Sequence, residues 1–195
     1  MTDRISAIVA DSLEVKQRFF SKHGTDVHRA ADLIADAFKT RGKLLVFGNG
    51  GSAADAQHIA GELVNRLLQH RKALPAVALT TDGGVLTCIA NDSGFENVFA
   101  RQIEALGTSG DVCLAISTSG TSANVIVACE QARKQGIVII GLLGCQGGKV
   151  AALCDLALIV PSNDTQRIQE THNLIGHIVC ELIEAKLFST QDRSL

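Results

Sequence analysis

The chain has 195 residues, of which 46% are hydrophobic and 19% charged, so it is too apolar to be a disordered protein. Its 18 Lys and Arg residues against 20 Asp and Glu residues give a net charge of −2. That balance argues against a nucleic-acid-binding protein and against a membrane-surface protein that acts through bulk charge. The length fits one domain, and a mean hydropathy of +0.21 favours homo-oligomers that bury additional apolar surface.

Targeting signals and disulfides are not expected. No apolar run is long enough to span a bilayer, and no signal-peptide pattern opens the chain. The six cysteines are scattered without a CxxC pair, and five of them lie in stretches rich in Val, Ile, Leu and Ala, where a free thiol behaves as a small core hydrophobe. These features predict a reduced, cytoplasmic, globular protein without a membrane or nucleic-acid partner.

The first 40 residues carry apolar side chains at the 3.6-residue spacing of helices, and we expect two helices there. One set is Ile5, Ile8, Val9 and Leu13, and the other is Val27, Ala30, Ala31, Ile34, Ala37 and Phe38.

The pattern then changes to short continuous apolar runs bounded by Gly, Pro, Ser, Thr or Asp, which are typical of strands buried on both faces of a parallel sheet. Helix-length segments separate these runs. The sequence therefore predicts an α/β fold: a doubly wound five-stranded parallel sheet flanked by helices, with N-terminal helices and a long C-terminal helix. The five predicted strands are 43–47, 76–79, 112–116, 137–143 and 156–160.

The last predicted helix covers residues 165–187 and is apolar on more than one face. A helix of that kind is covered on two sides, so we expect a neighbouring subunit to pack against it.

Two predicted strands end in turns rich in Gly, Ser, Thr and Asn that lead into helices, at 47–53 and 116–124. Open α/β sheets bind ligands at the carboxyl ends of their strands, where a helix N-terminus offers free N–H groups to an anion. A Ser/Thr-rich turn can also be a simple capping segment. Because the second turn directly follows an apolar strand, we expect it to hold a phosphate through hydroxyls and backbone amides, without a Lys.

The first turn also matches the dinucleotide fingerprint GxGxxA at Gly48, Gly50 and Ala53. We reject that interpretation because the acidic candidate, Asp82, lies about 30 residues beyond the fingerprint rather than about 20. The second phosphate-type turn would also have no role in a single dinucleotide-binding unit.

His58 and Glu62 are four residues apart on the helix after the first turn, so they share one face. The spacing suits two ligands of one metal ion or a carboxylate base steered by an imidazole, and it also suits a solvated surface pair. Gln169, His172 and His177 lie on the terminal helix. His177 stands among Ile, Val and Leu, where a hydrogen-bonded core histidine is the alternative to a site residue.

Five motifs follow one another along the chain: Gly48-Asn49-Gly50-Gly51-Ser52, His58-x3-Glu62, Asn91-Asp92, Ser117-Thr118-Ser119-Gly120-x-Ser122-Ala123-Asn124 and Arg167-Ile168-Gln169-Glu170-x-His172-x4-His177. Together they resemble the sugar isomerase (SIS) domain family and, within it, the phosphoheptose isomerases. The resemblance runs from about residue 4 to 188. It implies a single SIS domain over 1–195, with a helical segment 1–41 packed on it and in the oligomer interface of a homotetramer.

The resemblance also implies a reaction and its residues. The reaction is ketose–aldose isomerisation of sedoheptulose 7-phosphate to D-glycero-D-manno-heptose 7-phosphate through an enediol(ate), the first step toward nucleotide-activated heptose for surface glycans such as lipopolysaccharide. One zinc ion per subunit is implied. By position in the motifs, the catalytic residues would be Glu62 and His177, the zinc ligands His58, Glu62, Gln169 and His177, and the substrate-binding residues Asn49, Gly50, Gly51, Ser52, Glu62, Asn91, Asp92, Ser117, Thr118, Ser119, Ser122 and Gln169.

The sequence departs from the isomerase pattern at Gln166, where some isomerases carry an acidic residue that can hold a charge. A non-catalytic alternative is a protein of the bacterial replication-initiator-associating type, which shares the fold and binds a protein partner. The presence of Glu62 with His58, Gln169 and His177 favours the enzyme. A sugar-phosphate-sensing SIS module is disfavoured because the sequence shows no DNA-binding domain.

The geometry of the terminal helix adds one further expectation. Gln169 and His177 are eight residues apart, which on a straight helix is about 12 Å along the axis and about 80° around it. Two ligands of one metal ion barely reach across such a gap. We therefore expect active sites at subunit interfaces, with the terminal helix of one protomer meeting His58 and Glu62 of another.

Overall fold

A five-stranded, all-parallel sheet forms the centre of the computed structural model, which describes residues 2–188. The strand order is β2-β1-β3-β4-β5. This order and direction confirm the predicted doubly wound sheet, and each strand begins and ends within a few residues of its predicted run. The strands are β1 (Leu44–Gly48), β2 (Ala76–Ala78), β3 (Val112–Ser117), β4 (Val138–Leu143) and β5 (Leu156–Ile159).

Helices cover both faces of the sheet and enclose two separate apolar cores. The first, second and last helices pack on one face, and the fourth to sixth pack on the other. The helices are α1 (Thr2–Lys39), α2 (Gly51–Val64), α3 (Gly83–Ser93), α4 (Ala100–Leu106), α5 (Ala123–Lys134), α6 (Gly148–Ala151) and α7 (Thr165–Leu187). Because β1, β3 and β4 have helices on both sides, almost all of their residues are buried, which explains their continuous apolar runs.

The N-terminal segment is one helix, so the expectation of two helices was wrong. α1 has 38 residues and is about 57 Å long. Gly24 lies between the two apolar sets, but a glycine inside a helix costs only about 1 kcal/mol, and this segment contains no proline. Val15, Phe19, Val27 and Ile34 are buried on the same side of α1, so one apolar stripe continues past the glycine.

The terminal helix α7 is apolar on more than one face because α1 and α2 of the same chain cover it. Ile168, Ile175, Val179 and Ile183 are buried within this one chain. The two-sided apolar pattern therefore does not by itself require a neighbouring subunit, since α1 covers one side of α7; packing of a neighbour against α7 stays a prediction.

Helix α3 contrasts with the others, since none of its 11 residues is buried. Its main contact is with the following turn at Phe95–Asn97. Phe95 is 59% exposed, and a groove of about 700 Å³ runs between α3, α4 and the edge strand β2. The first turns of α1 also expose apolar side chains, at Ile5, Ile8, Val9 and Leu13.

All six cysteines are free, and burial raises the pKa of the Cys113 and Cys180 thiols to about 12. Between residues 2 and 188, no helix combines the length and hydrophobicity that a membrane span requires.

Candidate active site

The two predicted ligand turns lie side by side at the carboxyl edge of the sheet. One follows β1 and leads into α2, and the other follows β3 and leads into α5. β1 and β3 are neighbours, and their connections leave toward opposite edges of the sheet, because β2 lies on one side and β4 on the other. This is the topological switch point at which open α/β sheets bind their ligands. We call residues 48–52 the first loop and residues 117–124 the second loop.

The first loop turns sharply to start α2. Gly50 precedes the helix with φ +57°, a left-handed conformation that favours glycine, and the Ser52 N–H donates to the Asn49 carbonyl over 3.0 Å. A Cβ at Gly51 would collide with the Gln169 side-chain amide of α7, so any larger residue there would have to displace Gln169. The structure therefore brings the predicted residues Asn49–Ser52 and Gln169 together.

The second loop is braced by its own hydroxyl groups. The Gly120 N–H donates to Ser117 Oγ over 3.1 Å, and the Thr121 N–H donates to Ser119 Oγ over 3.2 Å. Ser117 is buried, whereas Ser119 is exposed and Thr118 and Ser122 are half-buried. The first N–H groups of α5 have no partner within the helix, so the loop presents hydroxyls and amides suited to an anion.

His58, Glu62 and His177 form a compact cluster between α2 and α7. The distance from His58 Nε2 to Glu62 Oε1 is 3.1 Å, and that from His58 Nε2 to His177 Nε2 is 3.3 Å. One potential ligand atom from each residue lies within 4.8 Å of the others. Donors around one tetrahedral ion lie about 3.4 Å apart when their bonds are 2.0–2.2 Å long. Two imidazoles and a carboxylate with this spacing could hold a divalent metal ion.

The cluster has polar neighbours that sequence reasoning missed. Asn173 Nδ2 lies 3.3 Å from His58 Nδ1, and the Asn173 side chain also hydrogen-bonds Asp55. Burial raises the pKa of Asp55, although Asn173 and the nearby His58 act against that rise. Asp55 precedes His58 by three residues and Asn173 precedes His177 by four. These helical separations place Asp55 and Asn173 on the same helix faces as the two histidines, and they could have identified both residues from the sequence.

The position of His177 corrects the expectation that the terminal helix of another protomer meets His58 and Glu62. His177 reaches both residues within its own chain, because α7 packs directly on α2. Gln169 lies two turns earlier on α7, beside Gly51 at the start of α2. The eight-residue separation along α7 thus runs alongside α2, from the first loop to the cluster.

The core histidine of α7 is His172. It is fully buried, and its Nε2 lies 3.0 Å from the Leu143 carbonyl oxygen. Burial lowers the pKa of His172 to about 4, although the bond to Leu143 opposes that shift. His177 is half-buried at the cluster, so the structure favours the site interpretation for it.

Two predicted substrate-binding residues, Asn91 and Asp92, lie apart from both loops, and so does Gln166, where the sequence departs from the isomerase pattern. Asn91 and Asp92 are exposed near the end of α3, where Asn91 Nδ2 donates to Asp92 Oδ1 over 2.8 Å. Within residues 2–188 neither forms a hydrogen bond to the first or second loop. Gln166 is exposed at the start of α7, and its N–H donates to Asp164 Oδ1.

Comparison with known proteins assigns the family. Residues 9–144 match the SIS domain model. The chain belongs to the SIS domain family. It is 50% identical over 186 residues to the phosphoheptose isomerase of Thermodesulfovibrio yellowstonii, which covers 95% of this chain and 92% of that protein.

Solved structures within this family agree with the fold. The phosphoheptose isomerase structure from Neisseria gonorrhoeae superposes with a TM-score of 0.90 at 44% identity, covering 94% of this chain and 98% of that one. The phosphoheptose isomerase structure from Francisella tularensis gives a TM-score of 0.90 at 36% identity, covering 93% and 97%. Both structures share the fold of this chain over nearly its full length.

Proposed function

We propose that the chain is a phosphoheptose isomerase, an enzyme that converts sedoheptulose 7-phosphate to D-glycero-D-manno-heptose 7-phosphate. The observation that carries the proposal is the cluster of Glu62 with two imidazoles on helices that pass the two ligand loops. Phosphoheptose isomerases at about half identity over most of the chain support it. The product would be the first intermediate toward nucleotide-activated heptose for surface glycans.

The reaction moves a carbonyl group from C2 to C1 of the sugar. A base takes a proton from C1, an enediol(ate) forms, and the proton returns to C2, so C1 is oxidised while C2 is reduced. Glu62 would be the carboxylate base for this transfer, and His177 would exchange a proton with the substrate oxygens. Their proximity to His58 keeps the three groups in one small polar site.

The second loop would hold the phosphate, far from the reacting carbons. Ser117, Thr118, Ser119 and Ser122, together with the N-terminus of α5, supply hydroxyls and amides without a cation. Asn49, Gly50, Gly51, Ser52 and Gln169 would bind the sugar at the first loop. Binding energy at the phosphate would then hold C1 and C2 in register with Glu62.

The His58–Glu62–His177 cluster fits zinc in both donor type and spacing. Gln169 is the fourth ligand that the family resemblance implies, but its side chain lies beside Gly51, two turns of α7 away from the cluster. A zinc ion bound there would stabilise negative charge on the enediolate oxygens. In this proposal His58 serves as a ligand alone, while Glu62 and His177 also move protons. One ion per subunit would correspond to the one cluster of this kind among residues 2–188.

A homotetramer with active sites near subunit interfaces is part of the proposal. Two separate surfaces expose apolar side chains: the start of α1, and the α3 groove with Phe95. A tetramer with dihedral symmetry needs more than one kind of interface, whereas a dimer needs only one. The segment 1–41 would therefore lie in one interface and α3, with Asn91 and Asp92, in another. Free cysteines and a phosphorylated substrate support a cytoplasmic location.

The non-catalytic alternative, a protein that binds a replication initiator, is not favoured. A binding protein needs no cluster of a carboxylate with two imidazoles, and the relatives at about half identity are isomerases.

The deciding experiment is incubation of the purified chain with sedoheptulose 7-phosphate, with aldose formation followed by NMR. We expect exchange of one C–H proton with solvent and accumulation of the heptose 7-phosphate. A chain that is correctly folded and loaded with zinc but forms no aldose would contradict the proposal. Fructose 6-phosphate, a shorter ketose phosphate, is the matched control substrate.

A further inference from the structure

Two asparagine side chains connect the first and second loops. Asn49 Nδ2 donates to Asn124 Oδ1, and Asn124 Nδ2 donates to Asn49 Oδ1, each over 2.8 Å. Asn49 follows the last residue of β1, and Asn124 is the second residue of α5. Asn124 is only 3% exposed, so the pair is shielded from water on the α5 side. Two reciprocal hydrogen bonds between buried side-chain amides hold both side chains in one orientation.

The hydrogen bonds between Asn49 and Asn124 join the chain segments that follow β1 and β3, beyond the point where the backbone pairing of these strands ends. β1 and β3 pair as far as Gly48 and Ile116. Across the described residues, no backbone hydrogen bond joins 49–52 to 117–124. Among the described residues, the two side-chain hydrogen bonds between Asn49 and Asn124 are therefore the hydrogen bonds that join residues 49–52 to residues 117–124.

The reciprocal bonds also determine what Asn49 can offer a ligand. Its amide oxygen and one amide hydrogen are engaged by Asn124, so the first loop presents mainly backbone groups at Gly50, Gly51 and Ser52. On the other side, Gln169 lies against Gly51. The first loop is thus held between α5 and α7.

We propose that Asn124 is a positioning residue for substrate binding, which fixes the spacing between the two loops through the Asn49 side chain. The inference rests on the proposed function, in which the first loop binds the sugar and the second the phosphate. A ligand that touches both loops would depend on this spacing, whereas a ligand that touches only the second loop would not.

The test measures binding of sedoheptulose 7-phosphate and of inorganic phosphate by calorimetry. Glu62→Gln is the background, so that the sugar phosphate is not turned over. Asn124→Leu and Asn49→Leu should each weaken sugar-phosphate binding about 10-fold, as expected for lost hydrogen bonds, and phosphate binding less than about 2-fold. The double variant should bind no worse than Asn49→Leu alone, because Asn124 would act on the substrate only through Asn49.

Two results would overturn the inference. A double variant that binds the sugar phosphate worse than Asn49→Leu alone would mean that Asn124 affects the substrate independently of Asn49. A parallel loss of inorganic phosphate would mean that Asn124 merely supports the second loop. Thr171→Val removes another buried hydrogen bond, to the Arg167 carbonyl, and is the control for a general loss of stability. It should change neither affinity.

A smaller change keeps the test decisive if Asn124→Leu does not fold. Asn124→Ala removes both hydrogen bonds without adding bulk or charge, so it should weaken sugar-phosphate binding about as much as Asn49→Leu does; unchanged binding would refute the link. Failure of the proposed function would look different. The Glu62→Gln background would then bind neither ligand, or Ser119→Ala would leave the affinity for phosphate unchanged.

Discussion

Glu62 lies where α2 and α7 meet, with His58 Nε2 3.1 Å from its carboxylate. Replacing it with Gln keeps the shape and removes the basicity, so we expect turnover to fall about 10²–10⁴-fold while substrate still binds. Steady-state kinetics together with substrate binding would measure both effects. Near-wild-type turnover in Glu62→Gln would exclude Glu62 as the base, and Glu14→Gln on exposed α1 is the matched control.

His172 gives the chain a defined sensitivity to acid. Its folded-state pKa is about 4 against an ordinary 6.5, so between these values the unfolded chain binds a proton that the folded chain does not. The free energy of unfolding is complete above the ordinary value and falls as the pH drops toward the folded-state value. Going from about pH 7.5 to about pH 5 should cost about 2 kcal/mol through this one residue.

Urea unfolding of the wild type and His172→Gln at both pH values would isolate this contribution. The Gln side chain can still donate to the Leu143 carbonyl but does not titrate. The pH-dependent loss should therefore be smaller in the variant by about the same amount. Equal losses in the two proteins would show that His172 keeps its ordinary pKa in the folded chain.

At the scale of elements, a buried ion pair connects the end of α2 to α7. Glu184 and Arg71 side chains are each 1% exposed with 2.7 Å between Oε1 and Nε. Glu184 also accepts from the backbone N–H groups of residues 67–69, and Arg71 donates to the Leu63 and Glu62 carbonyls. Burial alone would raise the pKa of Glu184, but these donors outweigh it and lower the pKa.

Glu184→Ala would leave Arg71 Nε and the backbone N–H groups of residues 67–69 without their acceptor in the protein interior. We expect a loss of about 3–5 kcal/mol in the free energy of unfolding, measured with urea. The exposed pair Arg101–Glu104 is the control, and Glu104→Ala should change stability by less than about 1 kcal/mol. Similar small effects of both changes would show that the buried pair contributes no more than a surface pair.

The elements that the sequence predicts best are those whose pattern is set by burial on both faces. β1, β3 and β4 have continuous apolar runs, and the loops after β1 and β3 follow from them. The single helix α1 was missed because local spacing does not show that packing on α7 continues past Gly24. His177 was assigned to another protomer because the sequence does not contain the crossing of α2 and α7. The contact between Asn49 and Asn124 joins residues 75 positions apart, which single-residue preferences cannot reveal.

At the scale of the whole molecule, the first turns of α1 should determine assembly. Ile5, Ile8, Val9 and Leu13 are 46–63% exposed along one side of the helix, and covering them would remove that apolar surface from water. The double change Ile8→Glu with Leu13→Glu should shift a tetramer to smaller species in sedimentation velocity. The control Gln17→Glu adds a charge at another exposed position of α1 and should leave the sedimentation of the tetramer unchanged. An unchanged tetramer in the double variant would place the interface elsewhere.

Mixing inactive variants tests which residues of one active site come from the same chain and which come from a neighbouring chain. Glu62 and His177 meet within one chain, so mixed tetramers of Glu62→Gln and His177→Ala chains should show no recovered activity.

Asp92 lies on α3, which has no buried residue of its own and which we place against a neighbouring subunit. If Asp92 reaches the neighbour's substrate, mixing Glu62→Gln with Asp92→Ala chains restores about a quarter of the sites. Activity above the average of the two parents is the expected result. No gain in tetramers verified as mixed by native mass spectrometry would mean that Asp92 acts within its own chain or not at all.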